Sequence, residues 1–215
     1  MTVRFHFDYL SPYAYLAFQG IHALSARHGH DVELVPILFA AVLNHHGQKG
    51  PAEIPAKRSY VFKDCVRTAS LLKVPMRPPP SHPFNPLLAL RATAAVADPA
   101  SRRALAKRFF DATWATGEGV TDPALVAAMI DEVGLDSADL LAEATSPDGK
   151  ERIRANTEQA IADGVFGVPT MIVDGELFWG HDSLPHLEAQ LRGEGVDIGA
   201  ALRRWSGLGS SAQRR

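Results

Sequence analysis

Strand-type patterning is confined to the two ends of this chain, and that placement constrains the fold more than any other feature. Val3, Phe5 and Phe7 alternate with polar residues, and Val32, Leu34, Pro36 and Leu38 repeat the two-residue period. Between these runs Ser11-Pro12 opens an apolar stretch through Tyr15, Leu16, Ile21 and Leu24 that Gly29 stops, so the opening reads as strand, helix, strand. A unit of that kind implies parallel pairing. From about Asn44 to Gly164 there is no strand pattern, only helical segments divided by turn signals such as Pro75, Pro78-Pro79-Pro80 and Gly117. Asn85-Pro86 and Asp98-Pro99 each set a capping side chain before a proline suited to a first helical position, and Gly134 and Gly164 fit helix ends. Beyond Gly164, Thr170 to Val173 and Glu176 to Trp179 are short β-type runs joined by Asp174-Gly175, a strong hairpin signal. Asp182 or Ser183 is then expected to cap a last helix through Leu187 and Leu191, ended by Gly193.

The order is therefore βαβ, a helical block, then ββα, an α/β fold. It predicts a discontinuous sheet domain of residues 1–43 and 165–215 interrupted by an inserted helical domain of 44–164. The 46% apolar content of 215 residues is ample for its core. From Glu194 onward Gly, Ser and Arg are frequent, which predicts partial disorder of the tail. Lys and Arg total 22 against 24 Asp and Glu, a net charge of −2 that offers no field for nucleic acid or an anionic membrane, so the expected ligand is small. Arg4, His6 and Asp8 interrupt any secretion signal, no window reaches transmembrane length, and the single Cys65 cannot close an internal disulfide. The cytoplasm is the expected compartment. His45-His46 and His28-x-His30 lack further ligands at metal-site spacing, so no metal is expected.

Chemistry is expected where the first strand meets the first helix. The topology resembles the thioredoxin arrangement, in which a reactive sulfur sits at that helix's N-terminus. This chain has Ser11-Pro12-Tyr13-Ala14 there, with no sulfur at Ser11 or Ala14, so dithiol exchange is ruled out and any thiol must come from outside. A hydroxyl beside unpaired helix N–H groups suits a thiolate. Lowering a thiol pKa from about 8.5 to about 6.5 needs roughly 2.7 kcal/mol. A hydrogen bond to a charged group supplies about 1.5–3 kcal/mol and the helix terminus about 0.3–1 kcal/mol. The competing reading is that Ser11 is only an N-cap before Pro12. Context favours the thiolate, because Val168-Pro169 stands just before the hairpin, where thioredoxin-like proteins carry a cis proline facing that helix. A cis Val168-Pro169 bond in contact with the Ser11 helix is predicted.

Phe7-Asp8-Tyr9-Leu10-Ser11-Pro12-Tyr13-Ala14-Tyr15, Phe166-Gly167-Val168-Pro169-Thr170 and Phe178-Trp179-Gly180-His181-Asp182, in this order, resemble the 2-hydroxychromene-2-carboxylate isomerase family. The kappa-class glutathione transferases are its near relatives. The resemblance spans roughly residues 2 to 193, including Gly47-Gln48-Lys49-Gly50-Pro51 and Ile54-Pro55-Ala56-Lys57-Arg58. It implies a DsbA-like thioredoxin domain with an inserted helical domain and glutathione as the cofactor between them. By family pattern Ser11 meets the glutathione sulfur as the catalytic residue, and Val168-Pro169 pairs with the cysteinyl backbone. His181 and Asp182 hold the γ-glutamyl end, Lys57 lies near the glycyl carboxylate, and Gln48 stands where relatives often have asparagine. Asn85 reads first as a helix cap, although the helical block that carries it would roof the site and bring it to a substrate. The implied activity is glutathione-dependent cis-trans isomerisation of 2-hydroxychromene-2-carboxylate, giving trans-o-hydroxybenzylidenepyruvate in aromatic breakdown. A kappa-like transferase is the first alternative and a non-catalytic thioredoxin-like binding module the second. Relatives are commonly dimers, so a homodimer is expected. Cys65, among Tyr60, Val61, Val66 and Ala69, reads as a buried bystander.

Overall fold

β1 (Thr2–Phe7) delivers the chain into α1 (Pro12–Arg27), and β2 (Asp31–Pro36) returns parallel to β1. The computed structural model describes residues 1–203 and 205–209. Alternation in β1 buries Val3, Phe5 and Phe7 against α1, whose apolar positions Tyr15, Phe18 and Ile21 lie beneath the sheet. β2 stops at Pro36, two residues earlier than the apolar pattern through Leu38 suggests. Ile37 still donates to the Phe7 carbonyl at 2.9 Å, and α2 (Phe39–His45) begins there.

The helical segment follows as α3 (Pro55–Leu72), α4 (Leu87–Ala95), α5 (Pro99–Phe110), α6 (Pro123–Glu132), α7 (Ser137–Thr145) and α8 (Pro147–Ala162). A π-type turn, Asp111–Thr116, extends α5. Asp98 caps α5 through the Ser101 N–H at 2.8 Å, as its place before Pro99 requires. At α4 the helix starts at Leu87 rather than at Pro86, yet the Asn85 carboxamide oxygen accepts the Leu87 N–H at 3.0 Å.

β3 (Thr170–Val173) pairs antiparallel with β1 on one side and with β4 (Glu176–Trp179) on the other, giving sheet order β2-β1-β3-β4. Asp174 and Gly175 join β3 to β4 with positive φ at both, 50° and 81°, which is the requirement that selects Asp-Gly in a two-residue hairpin. A 3₁₀ turn, His181–Ser183, leads into α9 (Leu184–Leu191). Neither Asp182 nor Ser183 caps α9 as expected, because the turn points the Ser183 hydroxyl back to the Gly180 carbonyl at 2.8 Å. The tail is not simply irregular. It forms the short α10 (Ile198–Leu202), while the expectation of disorder for 204 and 210–215 falls outside the described residues.

One apolar core runs without interruption from the sheet into the helical segment. Tyr9, just past β1, packs edge-on against Phe109 and Phe110 at 5.7 and 4.8 Å, and Phe7 reaches Phe110 at 5.3 Å. Each large side chain so buried contributes about 1.5–3 kcal/mol. Tyr9 is also tied by polar contacts. Its hydroxyl shares a 2.6 Å hydrogen bond with Thr93 of α4, and the Trp114 indole N–H donates to its carbonyl at 2.8 Å. The strand end before Ser11 is thereby fixed to α4 and to the turn after α5. On the opposite sheet face a smaller cluster of Ile37, Val42, Ala160, Val165, Val168 and Ile172 seats the loop before β3.

Candidate active site

Ser11 has extended backbone geometry, φ −93° and ψ 114°, and its Oγ accepts the Ala14 N–H at 3.1 Å, so it does cap α1. The same hydroxyl donates to the Val168 carbonyl at 3.3 Å. The Val168–Pro169 bond is cis. Both expectations for this loop are met: the bond is cis, and the loop touches the helix opened by Ser11. A 3.3 Å O–H···O contact lies beyond the usual 2.5–3.0 Å range, so the Ser11 proton is weakly held and free to turn toward a stronger acceptor. The Val168 N–H meets no acceptor among the described residues. An unfilled donor beside a weakly held hydroxyl fits an extended peptide that carries a thiol.

Three residues that sequence patterning left out hold this corner together. Asp8 is fully buried, its two carboxylate oxygens accepting the Leu10 N–H at 2.9 Å and the Phe39 N–H at 3.0 Å, while its carbonyl accepts the Ser11 N–H at 3.0 Å. Burial outweighs those two bonds and raises its carboxyl to about 6. His82 fixes the Leu10 carbonyl from the helical side at 2.9 Å. A carbonyl only accepts, so Nε2 carries the proton, and burial lowers the ring's pKa. Tyr13 stacks on His181, with ring centroids 5.4 Å apart and planes 7° from parallel, and its hydroxyl donates to Asp64 of α3 at 2.8 Å. Burial and then that hydrogen bond push the Tyr13 pKa up. An aspartate after a strand reads as a turn residue, and a tyrosine or histidine among apolar neighbours reads as packing. Only the pairing of Asp8 with aromatic neighbours in the Ser11 motif could have drawn attention to it.

The remaining expected site residues divide into two groups. His181 is half-buried and joined to the cis-proline loop through the Gly180 N–H, which donates to the Pro169 carbonyl at 2.9 Å. Asp182 beside it is exposed. Gln48, between α2 and α3, and Lys57, in the first turn of α3, are exposed, and their side chains make no hydrogen bond or ion pair among the described residues. No contact brings either to Ser11. Asn85 is exposed and acts as the α4 cap. Cys65 is buried, and burial, followed by the Asp64 charge, pushes its thiol up to about 12, so it stays protonated. Trp114 belongs to the core, whereas Trp179 is 54% exposed and lies against Phe166 at 5.1 Å.

Residues 2–192 match the model of the DSBA-like thioredoxin domain. The chain is 32% identical over 192 residues to 2-hydroxychromene-2-carboxylate isomerase of Sphingobium xenophagum, covering 88% of this chain and 97% of that one. It is 31% identical over 207 residues to glutathione S-transferase kappa 2 of Caenorhabditis elegans, covering 86% and 89%. Among solved structures, that of a 2-hydroxychromene-2-carboxylate isomerase superposes with a TM-score of 0.80 at 30% identity, over 98% of this chain and 100% of that one. A serine capping α1 against a cis proline, on this topology and at these identities, places the chain in the DsbA-like thioredoxin family, in the group that holds the 2-hydroxychromene-2-carboxylate isomerases and the kappa-class glutathione transferases.

Proposed function

We propose that the chain is a glutathione-dependent isomerase of 2-hydroxychromene-2-carboxylate-type acids, working as a homodimer in the cytoplasm. The observation that carries this reading is the Ser11 hydroxyl at the α1 N-terminus, 3.3 Å from the Val168 carbonyl, where dithiol relatives of the fold hold a sulfur. Glutathione, when bound, supplies a thiolate that adds reversibly to a conjugated carbon, so that the former double bond can rotate before the thiolate leaves.

This chain's own residues bind and hold. The Ser11 Oγ turns its proton from Val168 to the sulfur, and a charge-assisted hydrogen bond contributes about 1.5–3 kcal/mol in favour of the ionised form. The α1 terminus adds about 0.3–1 kcal/mol, which together reaches the two-unit lowering required at neutral pH. Val168 offers its free N–H and its carbonyl to the cysteinyl backbone, and Pro169 follows it in the loop before β3. His181 and Asp182 take the γ-glutamyl end, with His181 held by the Tyr13 ring. Lys57 takes the glycyl carboxylate, Gln48 supports it through its amide, and Asn85 lies on the substrate side.

A kappa-like transferase would use the same thiolate and release the conjugate as product. The comparable identity to a kappa relative keeps this second reading in view. Both are tested by one experiment: the purified protein is given 2-hydroxychromene-2-carboxylate with and without glutathione, and substrate absorbance and free thiol are followed together. Isomerisation with constant free thiol is the expected result. Consumption of thiol selects the transferase, and absence of glutathione binding in a titration overturns both.

A further inference from the structure

Arg58, Phe62, Cys65 and Ala69 share one face of α3 at helical spacing. Cys65 is fully buried and Ala69 is 2% exposed, so this face turns toward the body of the protein, and Phe62 and Arg58 continue it outward. The Arg58 guanidinium lies over the Phe62 ring, 5.8 Å from its centroid. Phe62 meets the His82 ring edge-on at 5.4 Å, and Phe84 meets it edge-on at 6.3 Å. His82 in turn grips the Leu10 carbonyl, one residue before Ser11. The aromatic corner therefore adjoins the residue assigned to the thiolate.

Its charge is unbalanced. The Arg58 side chain, like those of Arg67 and Arg103, makes no hydrogen bond or ion pair among the described residues, but Arg58 is the arginine set over the aromatic corner beside Leu10 and Ser11. Phe62 and Phe84 are only partly buried. Burial, with a smaller contribution from the Arg58 charge, lowers the His82 pKa. A planar guanidinium set over an aromatic wall, with no anion of its own, matches a flat ring that bears a carboxylate.

We infer that Arg58, Phe62, His82 and Phe84 form the subsite for the acid substrate, with the carboxylate on Arg58 and the aromatic ring against Phe62 and Phe84. This rests on the proposed isomerase reading for its catalytic meaning, but not for its binding chemistry. Lys57, one position earlier, is turned about 100° around the helix and leaves the two carboxylates on separate cations.

The test uses trans-cinnamate, an aromatic enoic acid, and cinnamyl alcohol, which lacks the carboxylate. Each is titrated by calorimetry into the wild-type protein and into Arg58→Gln and Phe62→Leu variants, with and without glutathione, after thermal melts confirm that the variants are folded. The expected results are that Arg58→Gln weakens cinnamate about tenfold or more and leaves the alcohol unchanged, while Phe62→Leu weakens both. Wild-type protein that does not bind cinnamate, or a folded Arg58→Gln that binds it as the wild type does, would overturn the subsite. Failure of the isomerase reading shows separately, as absence of glutathione binding to the wild type. Arg58-dependent cinnamate binding would then still uphold the subsite.

Discussion

The sheet side of the Ser11 corner and the helical side that faces it solve opposite problems. On the sheet side Asp8, Ser11 and Val168 are almost entirely buried, and the polar groups of Asp8 and Ser11 are engaged by backbone partners. On the helical side Gln48, Lys57 and Arg58 are exposed, with side chains free of ion pairs among the described residues. A thiolate must be held within a fraction of an ångström to be stabilised, which favours groups already fixed by the core. Under the proposed function, charges that take a carboxylate gain from staying in water until the ligand arrives, because a buried unpaired cation would cost more than it returns. The buried side also carries Asp8, whose carboxyl burial raises to about 6.

The largest effect expected from disturbing the buried side is on stability. The Asp8 carboxyl is raised from 3.8 to about 6, so the folded protein retains its proton over a range where the unfolded chain has lost it. Its contribution to stability is fully present below about pH 4 and is lost as pH rises through about 6, a swing of about 3 kcal/mol. In Asp8→Asn that titration disappears. Urea unfolding of both proteins from pH 4 to 7 should show the variant gaining on the wild type by up to that amount as pH rises. A difference that stays constant with pH would mean that Asp8 is not desolvated as the burial indicates.

Next in size is Ser11→Ala, which separates capping from thiolate binding. Loss of the cap alone costs about 1 kcal/mol of stability. Loss of a charge-assisted bond should raise the bound thiol's pKa by about one to two units and lower neutral turnover about tenfold or more, with partial recovery at alkaline pH. Glutathione should still bind through Val168, Lys57 and Asp182. The pH profile of isomerisation, with thiolate absorbance followed in parallel, reads both quantities. An unshifted profile in a folded variant would leave Ser11 as a cap and nothing more.

The smallest effect sharpens the contrast from the helical side. Cys65 lies one turn past Phe62, yet its thiol is protonated and enclosed. Cys65→Ala should cost a modest amount of stability and leave turnover essentially intact, as checked by steady-state rates at saturating glutathione. Loss of turnover in a folded protein would place a working sulfur on α3 and reverse the assignment of roles between the two sides.

Local signals carried much of this protein. Two-residue periodicity located β1 and β2 and short β-type runs located β3 and β4, Asp174-Gly175 specified the hairpin through its positive φ angles, and the likeness of the βαβ and ββα order to thioredoxin set Ser11 opposite Val168-Pro169. These features depend on neighbours in sequence, where steric limits on φ and ψ and the spacing of apolar side chains act directly. Other features were decided only by tertiary packing. Asp8 became a buried brace because the Phe39 N–H arrives from beyond β2, Tyr13 became a bridge because α3 presents Asp64, and His82 reaches Leu10 across 72 positions of sequence. Trp179, a large aromatic side chain, nonetheless lies open, since β4 forms the edge of the sheet. Ser183 makes no cap to α9 because its own backbone is already helical, φ −84° and ψ −3°, and its hydroxyl donates to the Gly180 carbonyl. A side chain's partner is set by whatever the fold brings within about 3 Å, and distances of that kind are properties of the folded core rather than of any window of sequence.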